Sequence, residues 1–155
     1  MTTTVQFYHL LSTSRERAVP KLMEKVLASG SKAVMLFDSD AALKAMSDAL
    51  WSSNPNGFLP HGTPRDAFAE QQPILLSLTD ANPNGADILC VLDGSSPESL
   101  PSFAKVLDVF DGSDETAVAN ARTRWSAYKD KGYNLQYVKQ QPGGGWKIEQ
   151  EVKAA

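Results

Sequence analysis

KAVMLFDSDAALKAMSDALW, residues 32–51, is the stretch that decides the fold class. After Lys32 it opens on an apolar run that reaches Phe37, as a strand covered on both faces requires. Asp38, Ser39 and Asp40 then offer side-chain oxygens to the free N–H groups of a helix start. Ala42, Leu43, Met46, Ala49 and Leu50 recur at helical spacing, with Trp51 just off their stripe. A buried strand feeding straight into an amphipathic helix is the repeating unit of a layered α/β fold.

The same unit recurs on both sides. TVQFYHL, residues 4–10, mixes β-branched and aromatic residues and reads as a first strand. A helix over 15–28 follows, capped by Ser12 or Ser14, with Leu22 and Val26, joined by Met23 and Leu27, on its apolar face. Pro20 either kinks that helix or marks a start near Val19, and Gly30 ends it. Downstream, SSNPNG (52–57) breaks the second helix, residues 58–62 read as a brief extended piece, and 63–72 as a polar surface excursion. Strands are expected over 73–79 and 86–92, joined by the turn-rich DANPNG. Residues 93–101 read as a loop, and 103–110 as a short helix running into a strand. A helix over 114–131, a stop at Gly132 and a strand over 133–139 complete the pattern.

This alternation predicts an α/β/α layered fold with a mainly parallel central sheet of nucleotide-binding-like topology. The middle section has strands without an obvious helix between them, which suggests a mixed sheet. Residues 1–141 read as a single α/β domain. Residues 142–155, glycine-rich and then charged, read as a partly flexible tail.

At 155 residues the chain can bury a real core. Its net charge of −3 weighs against a general nucleic-acid binder, so any basic site must be local. The apolar runs are too short to span a membrane and the first twenty residues lack a leader pattern, so the sequence reads as cytoplasmic. Cys90, the one cysteine, lies in ADILCVLD and reads as a buried strand residue.

The signatures of catalysis are missing. HLLSTSRERA, after the first strand, has no glycine where a phosphate-cradling turn needs several. Gly143–Gly145 opens no helix, and Ser95-Ser96 lacks the glycines of a nucleophile elbow. His9, His61 and Cys90 cannot by themselves make a structural zinc site. His61 could act as a base, but no partner stands in a recognisable relation to it. Asp38 and Asp40 are explained by helix capping. No catalytic residue, cofactor or metal is expected.

What remains is the helix DETAVANARTRWSAYKDK, residues 114–131. Val118, Arg122, Trp125 and Lys129 fall on one narrow stripe. Beside it runs a second stripe, Ala117, Ala121, Arg124 and Tyr128, whose small and aromatic members can pack inward. Two cations flanking an indole make a poor core face but a good receptor for a carboxylate beside an apolar group.

Several stretches together resemble the chi subunit of bacterial DNA polymerase III holoenzyme: Phe7-Tyr8, SDALWSSNPNGFLPH (47–61), ADIL (86–89), VLDVFD (106–111) and ARTRWSAYKDKGYNL (121–135). The second of these is the most specific, because it joins a helix end to a Pro-His turn in a combination with no generic structural reason. The resemblance implies a non-catalytic adaptor associated with the clamp loader. Such an adaptor binds the acidic C-terminal tail of single-stranded-DNA-binding protein and, in many bacteria, a psi subunit. It implies a tail pocket at Arg122 and Trp125, with contributions from Phe110, Trp51, Lys129 and Val118. Val118 stands where some members carry a basic residue. Phe58, with Leu59, matches a surface tied to psi or a helicase, and nucleic acid would be engaged only indirectly. Two rivals are a small nucleotide-binding enzyme and a direct binder of single-stranded DNA.

Overall fold

The structure is a computed structural model that describes residues 3–11, 13–52, 60–79, 81–92, 100–143 and 145–153. In chain order the elements are β1 (Thr4–Leu10), α1 (Arg15–Ala28), β2 (Ala33–Leu36), α2 (Asp40–Ser52), β3 (His61–Gly62), β4 (Ile74–Ser77), β5 (Ile88–Val91), β6 (Lys105–Asp111), α3 (Glu115–Asp130), β7 (Asn134–Gln140) and β8 (Trp146–Val152). Among the described residues the strands form one eight-stranded sheet in the order β3-β4-β2-β5-β6-β1-β7-β8.

Period-two alternation sorts the strand side chains onto two faces. Ile88 and Cys90 of β5 join a cluster with Val19 and Met23 of α1 and Met46 and Leu50 of α2. Leu89 and Val91 join Phe7, Val106, Ala121 and Tyr128 on the other face, under α3. The result is the layered α/β/α arrangement. Each large apolar side chain fully withdrawn from water contributes about 1.5–3 kcal/mol.

Helix boundaries follow the local chemistry. Helix α1 starts at Arg15 and carries Pro20 inside it, so the alternative start near Val19 is not used. Gly30 and Gly132, just past α1 and α3, have φ of 81° and 86°, a conformation that favours glycine. The short helix before β6 is a single 3₁₀ turn, Leu100–Ser102.

The sheet departs from expectation in two places. The helix-poor middle section does not make it mixed, because β4 and β5 both run parallel to β2. Among the described residues the one antiparallel pair is β7 with β8. Strand β8 lies within the expected tail. Gln141 N–H donates to Gly145 O at 2.7 Å to close the hairpin, and Trp146 packs edge-on against Tyr8 at 5.1 Å. The strand is hard to read because Lys147, Glu149 and Glu151 make it look solvated, and the exposed edge of a sheet is where such residues are tolerated.

Among the described residues no helix is long and apolar enough to cross a membrane.

Candidate functional site

Helix α3 is held by both ends of its sequence logic. The Asp114 carboxylate accepts from the N–H groups of Thr116 and Ala117 at 2.9 and 3.3 Å, capping the first turn. Ala121, Arg124 and Tyr128 form its buried face. Arg124 is only 5% exposed, and its fork meets Asp108 of β6 twice, Nε to Oδ2 at 2.7 Å and Nη2 to Oδ1 at 2.8 Å. Burial pushes the Asp108 carboxyl up, and the guanidinium opposes that rise. This bidentate pair locks the register of α3 on the sheet.

The outer stripe is thereby aimed at solvent. Arg122 and Lys129 are exposed, while Val118 and Trp125 are half-buried. Trp125 leans edge-on against Phe7 at 5.5 Å and Tyr137 at 6.0 Å. Between α3 and the last strands lies an open depression of about 560 Å³. Arg122, Trp125 and Ser126 form its helical wall, and His9, Tyr137 and Lys139 its sheet wall. Glu149 and Gln150 of β8 close the third side. Among the described residues neither Arg122 nor Lys139 makes an ion pair.

His9 is fixed from several sides. Its Nδ1 lies 2.5 Å from the Tyr137 hydroxyl, and its ring meets Phe110 edge-on at 5.3 Å. A side chain at Gly112 would collide with the imidazole. Burial lowers the His9 pKa and Lys139 lowers it further; Asp111 pulls it upward, and Arg122 adds the smallest lowering. Burial raises the Tyr137 pKa, with Arg122 opposing. The site therefore holds free cations beside aromatic walls, with a neutral imidazole on its sheet side at neutral pH.

The residues expected from sequence divide clearly. Arg122 and Trp125 meet in the depression. Phe110 is buried beneath it, touching His9 and Tyr137. Val118 packs on the core one turn earlier, and Lys129 projects one turn later, neither lining the depression. Trp51 is brought elsewhere: it is 60% exposed at the end of α2, its ring 4.6 Å from that of His61 on β3. Strand β3 is five strand spacings from β1, roughly 24 Å, so Trp51 belongs to the opposite edge of the sheet. Phe58 and Leu59 lie outside the described residues.

His9, Tyr137, Lys139, Glu149 and Gln150 were missed. Two strand patterns could have found the first three. Val5, Phe7 and His9 alternate on β1, and Leu135, Tyr137 and Lys139 alternate on β7. The parallel register pairs Phe7 with Tyr137 and His9 with Lys139, directly under α3.

Other clusters carry less chemistry. Ser47 Oγ lies 3.1 Å from His61 Nε2, a bond that ties α2 to the edge strand. Burial pushes the Cys90 thiol up to about 12, far from a reactive thiolate. Among the described residues no group of His, Cys, Asp and Glu could hold a metal ion. The crevice where a nucleotide would sit, between the first turns of α1 and α3, has a volume of about 570 Å³ and is lined by Glu16, Asp111 and Asp114. The N–H groups a phosphate would use at α3 already serve Asp114. Arg15 is engaged by Leu92 O at 2.8 Å and Glu16 at 3.4 Å.

Comparison with known proteins gives the family. A family model described as DNA polymerase III chi subunit, HolC, matches residues 1–136. The chain is 30% identical over 139 residues to the DNA polymerase III subunit chi of Haemophilus influenzae, covering 87% of this chain and 96% of that protein. It is 29% identical over 139 residues to the DNA polymerase III subunit chi of Pseudomonas aeruginosa, covering 86% and 94%. A probable DNA polymerase III subunit chi of Rickettsia prowazekii is 31% identical over 108 residues, covering 68% and 62%.

Proposed function

The chain belongs to the DNA polymerase III chi subunit family, and on that premise we propose that it is a non-catalytic adaptor of the replicative polymerase that grips the acidic C-terminal tail of single-stranded-DNA-binding protein. One observation carries the reading: Arg122, free of any ion pair among the described residues, stands beside the half-buried Trp125 at the edge of an open depression. A tail that ends in a free carboxylate and an apolar side chain suits both. The guanidinium takes the carboxylate, and the Trp125 and Tyr137 rings take the apolar group. Lys139 adds a second cation from the sheet side.

The magnitudes fit a reversible adaptor. A hydrogen bond from arginine to carboxylate contributes about 1.5–3 kcal/mol. Burial of a phenylalanine-sized ring adds about 1.5–3 kcal/mol. Together these terms reach about 3–6 kcal/mol before the cost of association, which corresponds to a complex weaker than micromolar and sensitive to salt.

The wider role in this reading is attachment of the protein-coated single strand to the clamp-loader complex. Phe58 and Leu59 would meet a second partner, a psi subunit or a helicase.

The test is fluorescence polarisation with a labelled peptide copying that acidic tail. Wild-type protein should bind, and Arg122→Ala should weaken binding by about tenfold or more. Equal affinity of the two proteins would remove the reading.

A further inference from the structure

The third wall of the depression comes from a part of the chain beyond the family match, which ends at residue 136. Strand β8 supplies it, and a bulge shapes it. Tyr137 pairs with Gln150 and Val138 with Ile148, so Glu149 is an extra residue opposite a single step of β7. In a regular strand, adjacent side chains point to opposite faces. Here Glu149 and Gln150 both line the same depression, because the bulge re-aims one of them. Glu149 is the one carboxylate among the residues lining it, against Arg122 and Lys139. It is also close enough to Tyr137 to raise the pKa of that phenol.

We propose that Glu149, turned into the depression by the β8 bulge, is a specificity determinant that limits the pocket to a single peptide carboxylate and steers the remaining acidic residues of the ligand away from β8. This rests on the reading that the pocket takes an acidic peptide terminus. With one fixed anion facing two cations, the pocket can neutralise one incoming carboxylate. A second one on the β8 side meets a like charge, while one leaving along α3 meets Arg122 and then Lys129.

Two peptides and one isosteric variant separate the possibilities. One peptide copies the acidic tail. The other replaces its side-chain carboxylates by amides and keeps its free C-terminus. Both are titrated against wild-type protein and Glu149→Gln, whose exposed position leaves the thermal midpoint as a folding control. The variant should tighten the acidic peptide by about threefold or more, and change the amide peptide by less than about twofold. Unchanged or weaker binding of the acidic peptide by Glu149→Gln, or equal tightening of both peptides, would overturn the proposal. Failure of wild-type protein to bind either peptide would instead overturn the reading beneath it.

Discussion

Arg122 and Arg124 stand two positions apart on α3, about 200° around the helix axis, and that rotation carries one guanidinium into solvent and the other into the core. Arg124 has its carboxylate built in, because Asp108 stands opposite on β6. Arg122 has an indole and an open depression instead. The same chemistry therefore does two jobs. The inner arginine fixes where the helix lies, and in the reading proposed above the outer one takes the ligand. A cation on a helix says nothing about binding until the face it occupies and the partner it meets are known.

The largest effect should come from breaking the inner arginine. Arg124→Met leaves the Asp108 carboxylate buried and unpaired, and should cost about 3–5 kcal/mol by urea denaturation. The double variant Asp108→Leu/Arg124→Met should recover most of that loss, because it is the orphaned charge that is expensive. If Arg124→Met alone were as stable as wild type, the buried pair would not anchor α3.

The outer arginine should behave in the opposite way. Arg122→Ala should leave unfolding within about 0.5 kcal/mol of wild type while costing about tenfold in tail affinity. A matching loss of stability would mean that Arg122 also holds the fold.

A titration sharpens the same contrast, since His9 sits on the sheet side of the outer site. In the free protein, burial and then Lys139 depress its pKa, Asp111 opposes them, and Arg122 adds the smallest lowering. The folded state therefore binds fewer protons than the unfolded one. The stability from His9 is present above about pH 6.5 and is lost as pH falls through the folded value. A bound acidic tail reverses the preference by favouring the imidazolium, so its complex takes up protons and tail affinity should rise as pH falls below about 6.5. His9→Gln should flatten that rise in a pH series of polarisation titrations.

The smallest effect distinguishes two lysines. Lys139 lines the depression and Lys129 does not. Lys139→Ala should weaken the tail by a few-fold, and Lys129→Ala by less than about twofold, the ordinary worth of an exposed, screened charge. A larger loss at Lys129 would move the site further along α3.

The fold was largely legible because its signals are local. The run ending at Phe37 and the Asp114 cap each define an element without help from distant residues, and α1 runs over the expected 15–28. The mixed character of the sheet was misplaced because strand direction depends on crossovers that local pattern does not encode. Strand β8 has the sequence of a tail because an edge strand needs no apolar alternation. At the site, Arg122 and Trp125 could be read from one helix. His9, Tyr137 and Lys139 could not, since they reach the site only through the pairing of β1 with β7. Arg124 looked like its neighbour until Asp108, sixteen residues earlier, came opposite it. Family likeness groups Trp51 with Trp125, and the sheet separates them by most of its width.

Three tryptophans at three places in the fold make the most direct test. Their indole N–H signals can be followed in a two-dimensional ¹H–¹⁵N spectrum while unlabelled tail peptide is added. Trp125 should shift strongly and saturably, and Trp51, on the far edge of the sheet, should stay still. A stationary Trp125 signal under saturating peptide, or a shift confined to Trp51, would contradict the placement of the receptor on the outer face of α3.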